Sequence, residues 1–285
     1  MGFKVFAMDT FFTHGLGTYA FDARCEILKE LGYDGTYLTL YGEIGWENLS
    51  KLPSVKERYG LDVARVWALL DVAGKKDHEG NRRVLGMLET IEGCTSIELA
   101  LVSSDTSLKS SDPKGDERAV PWLQELLEVA EHRDLTISLY PHVFFWLERV
   151  EDAVRLCRKV DHPNLGAVFC GYHWFVVDGK NLKGSLEQAA PFLRSANLCG
   201  CTMRDNPAPG TPPATVELVH EGALDNFYLL VMLKRVGYDG MVGLQGAHIG
   251  GDVYSKLERS LRAFRSMARR VEEHPRWADL LPPAY

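Results

Sequence analysis

Short apolar runs alternate along the chain with longer amphipathic segments. The runs are rich in aliphatic and β-branched residues, which is typical of strands buried on both faces of a parallel sheet. The segments between them place apolar residues at the three- and four-residue spacing of a helix that buries one side. The pattern predicts strands at Lys4–Met8, Thr36–Leu40, Val63–Leu70, Ser96–Val102, Thr136–Tyr140, Gly166–Cys170, Leu198–Met203 and Met241–Gln245. It predicts helices at Ala23–Leu31, Val120–His132, Val150–Val160 and Phe227–Val236.

One tetrapeptide occurs twice, each time between a predicted helix and a predicted strand. Gly-Tyr-Asp-Gly stands at 32–35 and again at 237–240. The first glycine of each copy suits a left-handed residue that ends a helix, and the second opens the next strand. At roughly 35 residues per βα unit the copies are about six units apart. That spacing fits the second and eighth strands of an eightfold barrel.

Strict alternation of strand and helix predicts a parallel α/β fold, and we expect one (β/α)8 TIM barrel over 1–285. Residues 275–285, with Trp277, are expected to form a C-terminal extension. A doubly wound open sheet is the alternative, but the chain has no glycine-rich phosphate loop after its first predicted strand. Ser103–Glu117 and Asn206–Pro213 are expected to be long loops over the active face.

Charge and composition narrow the class of partner. The chain has 32 basic and 39 acidic residues, a net charge of −7, which disfavours a general nucleic-acid binder. Its apolar runs fall short of the ~20 residues of a membrane span. Six cysteines in so long a chain do not make a disulfide framework. We expect a cytoplasmic protein with reduced thiols, a small-molecule ligand and possible homo-oligomers, with neither nucleic acid nor membrane as partner.

Candidate site residues follow from the barrel prediction, because the active site of a TIM barrel lies at the carboxyl ends of the strands. Polar and aromatic side chains at those predicted ends can contact or react with a ligand. The candidates are Trp67, Glu98, Tyr140, His142, Cys170, His173, Trp174, Arg204, Asp205, Gln245 and His248.

Three stretches carry a resemblance to a known family. They are Leu-Gly-Tyr-Asp-Gly at 31–35, Val-Asp-His-Pro-Asn-Leu-Gly-Ala-Val at 160–168 and His-Glu-Gly-Ala-Leu-Asp at 220–225. In order and spacing the chain resembles the sugar phosphate isomerase/epimerase family. These xylose isomerase-like TIM barrels include ketose 3-epimerases and are related to endonuclease IV. The likeness is strongest from Leu135 to Arg262.

The resemblance also implies where a divalent metal would be held. Enzymes of the family hold it with Glu, Asp, His and Glu on strands five to eight, and this chain has other residues there. The replacements are Tyr140, Cys170, Thr202 and Gln245. Mn²⁺ and Mg²⁺ prefer hard anionic oxygens, which these side chains do not supply at neutral pH. The comparison therefore predicts a degenerate metal site and no metal cofactor.

The candidate residues at the predicted strand ends are expected to have catalytic or binding roles without a metal. His142 and His173 are expected to exchange protons near neutral pH, assisted by Tyr140 and Asp205. Substrate contacts are expected from Trp67, Glu98, Cys170, Trp174, Arg204, Gln245 and His248.

Each role has a structural alternative. The histidines can bond neighbouring carbonyls, and the tryptophans can simply pack. Arg204 and Asp205 can form a structural ion pair, and Glu98 can bond nearby backbone. A zinc site made by Cys170, His173 and His142 is a minor alternative.

Three functions stay open on the sequence. The first is a sugar or polyol isomerase or epimerase that uses histidine chemistry. The second is a non-catalytic carbohydrate-binding pseudo-enzyme. An endonuclease IV-like phosphodiesterase is disfavoured by the acidic charge balance and the missing metal ligands.

Overall fold

Eight parallel strands close into a barrel in sequential order. The computed structural model describes residues 2–75, 77–177, 179–208 and 210–280. The barrel strands are β1 (Val5–Ala7), β2 (Gly35–Thr39), β3 (Asp62–Asp71), β4 (Ser96–Val102), β5 (Thr136–Leu139), β6 (Leu165–Cys170), β7 (Leu193–Leu198) and β8 (Val242–Leu244). Because β1 pairs with both β2 and β8, the sheet has no open edge. The predicted TIM barrel is confirmed.

Helices surround the barrel and bury their apolar sides against it. They are α1 (Phe21–Leu31), α2 (Glu43–Asn48), α3 (Val55–Tyr59), α4 (Glu79–Thr90), α5 (Asp116–His132), α6 (Val150–Val160), α7 (Gly171–Val177), α8 (Leu182–Ala189), α9 (Asn226–Arg235) and α10 (Val253–Glu273). The repeated tetrapeptide acts as predicted, because Gly32 and Gly237 have φ of 82° and 81° just after α1 and α9. Within the described ranges, none of the helices combines the length and the apolar character needed to cross a membrane.

The seventh strand was predicted in the wrong place. It runs over Leu193–Leu198, whereas the apolar run Leu198–Met203 makes only isolated bridges to residues 214–222. The apolar criterion missed the true strand because Ser195 and Asn197 are polar and yet fully buried inside the barrel. A polar barrel interior hides a strand from a search for apolar runs.

Two cores hold the barrel together. The outer core lies between strands and helices, while the inner one fills the barrel with residues such as Phe6, Tyr37 and Cys170. The inner core also contains Glu98, which accepts a hydrogen bond from the Tyr37 hydroxyl at 2.6 Å. Buried carboxyl groups need such partners, since desolvation without them is costly.

The segments that follow the strands at the barrel mouth include a short hairpin and two long loops. A two-stranded hairpin, Thr13–His14 with Gly17–Thr18, follows β1 at the barrel mouth, the end where the strands' carboxyl termini meet. The predicted long loops follow β4 and β7, and Pro209 in the second lies outside the described residues.

Trp277 in the predicted C-terminal extension stacks on His274 with ring centroids 4.1 Å apart and stays 59 % exposed. Residues 281–285 of the predicted extension also lie outside the described residues.

Replacing Gly243 by Ala should destabilise the barrel. A Cβ at this position in β8 would lie 2.2 Å from Asn197 Oδ1 and 2.5 Å from Phe6 Cζ. Both neighbours belong to the inner core, so we expect a loss of about 1–3 kcal/mol in the free energy of unfolding, measured by urea denaturation. Gly86→Ala in α4 is the matched control, because a Cβ there meets nothing within 4 Å. Equal stability of the two variants would contradict this account of the inner core.

Candidate functional site

The barrel mouth holds two adjoining cavities, which we name the Asp9 lobe and the Arg204 lobe. The Asp9 lobe has a volume of about 780 Å³ and the Arg204 lobe about 720 Å³. Residues lining the Asp9 lobe include Asp9, Arg24, Tyr41, Asn48, Trp67 and Tyr140. Residues lining the Arg204 lobe include Tyr172, Arg204, Asp205 and Asn206. Both lobes share His142, His173, Gln245, Ala247 and His248.

Two histidine rings in contact lie where the lobes meet. His142 follows β5 and His173 lies in the first turn of α7, with ring centroids 4.0 Å apart. The His142 ring also stacks on Phe145 at 4.0 Å. The mouth therefore contains two imidazoles in contact, fixed by a third ring.

The peptide groups of Val143 set opposite tautomers on these rings. The Val143 carbonyl can only accept, so His142 Nδ1, 2.7 Å away, must donate to it. This leaves the lone pair of a neutral His142 on Nε2. The Val143 N–H donates to His173 Nδ1 at 3.3 Å, so the proton of a neutral His173 lies on Nε2. One ring thus presents an acceptor and the other a donor.

Burial keeps both rings neutral at physiological pH. It lowers the pKa of His142 to about 4, against a small opposing effect of the bond to Val143. Burial lowers the pKa of His173 well below its usual range, and the neighbouring His142 adds to that shift. Since the charged forms are disfavoured, the tautomers fixed by Val143 are the ones a ligand meets.

A chain of neutral polar groups forms the floor between the lobes. The Tyr140 hydroxyl donates to Cys170 Sγ at 3.4 Å, and that thiol donates to Gln245 Oε1 at 3.5 Å. Burial raises the pKa of Tyr140 well above its usual range and that of Cys170 to about 11. Both groups are therefore protonated at pH 7.

This floor does not fit the metal site that the family resemblance implies. A phenol, a thiol and an amide, all neutral, lack the hard anionic oxygens that Mn²⁺ or Mg²⁺ needs. Nor does the described part of the chain bring together three or more His, Cys, Asp or Glu side chains able to hold a metal ion. The minor alternative, zinc on Cys170, His142 and His173, thus gains no support from the geometry.

Aromatic rings line the wall of the Asp9 lobe. Trp67, in the middle of β3, packs edge-on against Tyr140 with centroids 6.3 Å apart. The Tyr41 ring contacts Trp67 with centroids 6.2 Å apart, and Tyr41 is 75 % exposed. Trp67 is therefore at the mouth, as the sequence indicated.

Two candidate residues are not at the mouth. Trp174 lies in the outer core, where its indole Nε1 donates to Ser185 Oγ at 3.2 Å. It turns away because α7 begins directly after β6. Glu98 is fully buried inside the barrel, bonded to Tyr37 and to Asn197 Nδ2 at 3.3 Å. Burial raises the pKa of Glu98, and its partners are side chains rather than the backbone alternative.

The loop after β7 carries further candidates on the Arg204 lobe. Arg204 and Asp205 are both exposed, and the structural ion pair considered for them does not form in the described chain. Thr202 is also exposed and lies four residues beyond the end of β7, so it is not at a strand end. The error in the predicted strand explains this misplacement. His248 is exposed with φ of 61° and lies beside both lobes.

Sequence reasoning missed the polar end of the Asp9 lobe. Arg24 in α1 is 5 % exposed and lies 3.7 Å from Asp9, measured from Nη1 to Oδ2. Asp9 lies two residues beyond the end of β1, a position that the barrel prediction marks as a strand end. Arg24 and Asn48 lie on helices, where a polar residue gives no comparable signal.

Stability should fall as the pH drops below 6.5, and His142 should account for part of the fall. Its folded pKa, about 4, lies below the ordinary 6.5. Between these pH values His142 binds a proton in the unfolded chain but not in the folded one. Its contribution to the free energy of unfolding is therefore present above pH 6.5 and is lost toward pH 4. His142→Asn keeps a donor for Val143 and removes the titration. We expect it to reduce the loss between pH 7 and pH 4.5 by roughly 1–3 kcal/mol in urea titrations. The exposed His132→Gln is the control, and an unchanged slope in His142→Asn would contradict the prediction.

Comparisons with known proteins show which proteins this chain is similar to in sequence and in fold. Over 101 residues the chain is 29 % identical to a putative hydroxypyruvate isomerase of Mus musculus, a match covering 35 % of this chain and 32 % of that protein. The match thus spans about a third of the relative's length. The 3-keto-D-glucoside 4-epimerase of E. coli is 18 % identical, with a TM-score of 0.70 over 93 % of this chain and 99 % of that one. A probable 3-DHS dehydratase of Bacillus anthracis is 16 % identical, also with a TM-score of 0.70, over 92 % and 98 %.

At these identities the solved structures establish the fold alone. The family is established by the sequence, because residues 25–267 match the family described as xylose isomerase-like TIM barrel. That range contains the histidine pair, the neutral floor and all strands but the first. The chain belongs to the xylose isomerase-like TIM barrel family.

Proposed function

We propose that this protein isomerises or epimerises a sugar-like hydroxycarbonyl compound by histidine acid–base chemistry. The observation that carries the proposal is the pair His142 and His173, held by Val143 in opposite tautomers between two cavities. Membership of the xylose isomerase-like TIM barrel family supports the reaction class. So do relatives named as a hydroxypyruvate isomerase and a 3-keto-D-glucoside 4-epimerase.

The two rings divide the proton transfer between them. His142 Nε2 takes the proton from the carbon beside the substrate carbonyl and becomes an imidazolium. The electron pair of that C–H bond moves onto the carbonyl oxygen as an enolate, which accepts a hydrogen bond from His173 Nε2–H. A neutral imidazole is an effective donor to such an oxygen. Return of the proton from His142 to the former carbonyl carbon, with the hydroxyl proton of the first carbon passing to the enolate oxygen, gives the isomer. Protonation of the first carbon on its other face by solvent, while His142 releases its proton to solvent, gives the epimer.

The floor supports a neutral, hydroxylated substrate. The Tyr140 phenol and the Gln245 amide donate and accept hydrogen bonds without adding charge. Because these groups are neutral, a cation is not needed to balance the floor. We propose that the metal site of the family is degenerate here and that the reaction does not depend on a hard divalent ion.

A second candidate is a carbohydrate-binding protein without catalysis. The observation that favours it is the pKa of His142, about 4, which makes the ring a weak base. An endonuclease-like phosphodiesterase has less support, since a phosphodiester carries charge into a neutral site. The two leading candidates differ in whether a C–H proton exchanges with solvent.

Substituting either histidine should slow proton exchange strongly. The protein is incubated in D₂O with a panel of aldoses, ketoses and hydroxypyruvate, and deuterium uptake beside the carbonyl is followed by NMR. Loss of the base in His142→Asn should slow uptake by roughly 10²- to 10⁴-fold, and His173→Asn should slow it through loss of the donor. Each Asn keeps the bond to Val143, and His132→Gln is the control.

Uptake should be unchanged by EDTA, and elemental analysis of the purified protein should show no stoichiometric Mn, Mg, Co or Zn. Full activity of a folded double variant would remove both histidines from the mechanism. Thermal shifts with sugars but no deuterium uptake would establish the binding protein instead.

Gln245→Glu should destabilise the fold by roughly 1–3 kcal/mol at pH 7, because it buries a charge in a neutral floor. The loss should shrink at pH 5, where a buried carboxyl protonates more readily. Urea denaturation at both pH values measures the effect. The exposed Gln124→Glu in α5 adds the same charge and serves as the control. Equal losses in both variants would show that the floor tolerates charge.

A further inference from the structure

The Asp9 lobe has a buried ion pair on its wall that the proposed chemistry does not use. Asp9 accepts hydrogen bonds from Thr39 N at 2.7 Å and from Thr39 Oγ1 at 2.6 Å. Arg24 Nη1 lies 3.7 Å from Asp9 Oδ2, and the two side chains are 6 % and 10 % exposed. The pair is placed beside the cavity and almost completely shielded from solvent.

Hydrogen-bonding capacity at this pair is left unfilled. Arg24 Nε donates to Tyr19 O at 2.7 Å and Nη2 to Thr18 Oγ1 at 2.9 Å. Its Nη1 makes no hydrogen bond to any described residue, and the same holds for the side-chain amide of Asn48, which is 7 % exposed. Arg24 and Asn48 line the cavity, so a ligand there can fill the hydrogen bonds that these groups leave open.

Charge decides which ligand fits. Asp9 offers an acceptor beside the Nη1 donor, and the pair as a whole is neutral. A sugar hydroxyl can donate to Asp9 and accept from Arg24 without changing that balance. A carboxylate or phosphate would bring a second anion against Asp9 where little water screens it. The pair therefore favours a neutral polyhydroxylated group.

Topology separates this group from the histidines. Asp9 follows β1 and His142 follows β5, and these strands lie four apart in both directions around the closed barrel. A ligand that reaches both must cross the mouth. The volume of about 780 Å³ also exceeds the need of one sugar ring and lies within the roughly 300–1,000 Å³ of drug-sized ligand sites.

We infer that the Asp9 lobe is a second sugar subsite and that the substrate has two rings, as in a disaccharide. Arg24, Asp9 and Asn48 bind the hydroxyls of the second ring, and Tyr41 with Trp67 forms its aromatic wall. The ring that carries the reacting carbon lies at the histidines. The inference rests on the proposed function for that first ring only.

Calorimetric titration tests the subsite with matched probes. Glucose is compared with maltose, cellobiose and trehalose, and galactose with lactose. At least one disaccharide should bind about tenfold more tightly than its monosaccharide, the effect of one or two added hydrogen bonds. Tyr41→Ala and Asn48→Ala should remove most of that gain and change monosaccharide binding less than about twofold. Both should fold normally, because Tyr41 is exposed and the Asn48 amide has no partner to lose in the described chain. Leu16→Ala, 95 % exposed at the hairpin tip, is the control.

Three results would overturn the inference. If disaccharides bind no more tightly than monosaccharides, the second subsite does not exist. In that case deuterium exchange with a single-ring sugar would still support the proposed function. A gain that is lost in Phe144→Ala and kept in Tyr41→Ala would move the second ring to the Arg204 lobe. Absence of both sugar binding and exchange across the panels would remove the inference and the proposed function together.

Discussion

The chemistry of this mouth depends on the peptide groups of a single residue, Val143. Its carbonyl orients His142 and its N–H orients His173, so a small rotation of this segment would misplace both rings at once. The segment is fixed from both sides, since His142 N donates to Leu147 O at 2.9 Å and Phe145 N donates to His142 O at 3.0 Å. The two neutral imidazoles could otherwise adopt either tautomer. The backbone leaves one acceptor and one donor, which is the minimum that enolisation requires.

Burial without net charge is the second constraint on the site. Tyr140, Cys170 and Gln245 satisfy one another as neutral groups, and Arg24 stands beside Asp9. Glu98 lies one layer deeper, where Tyr37 and Asn197 solvate it inside the barrel. Each of these buried groups is thus neutral or matched before a ligand arrives. A site of this kind favours neutral ligands, and it makes an added carboxylate such as Glu at 245 costly.

The sequence predicted the barrel and most of the strands because closed parallel strands are apolar on both faces. It erred at β7, where Ser195 and Asn197 point into the polar barrel interior that holds Glu98. That error displaced Thr202 from its expected role. His142, His173, Tyr140 and Gln245 do meet at the mouth, since strand ends converge in a barrel. The tautomers of His142 and His173 could not be predicted, because they are set by hydrogen bonds to the backbone of Val143. The sequence gives side-chain identities and does not show such bonds.

The arrangement separates chemistry from recognition around the barrel. The histidines and the neutral floor come mainly from β5, β6 and β8, whereas Asp9, Tyr41 and Trp67 belong to β1, β2 and β3 or the segments after them. A closed barrel fixes these two groups relative to each other, because no strand can move without breaking its pairing on both sides. Loops beyond the strand ends can vary without moving the two histidine rings. On this fold, changes in the Asp9 lobe would alter the proposed second subsite while the tautomers set at Val143, on which the proposed reaction rests, stay the same.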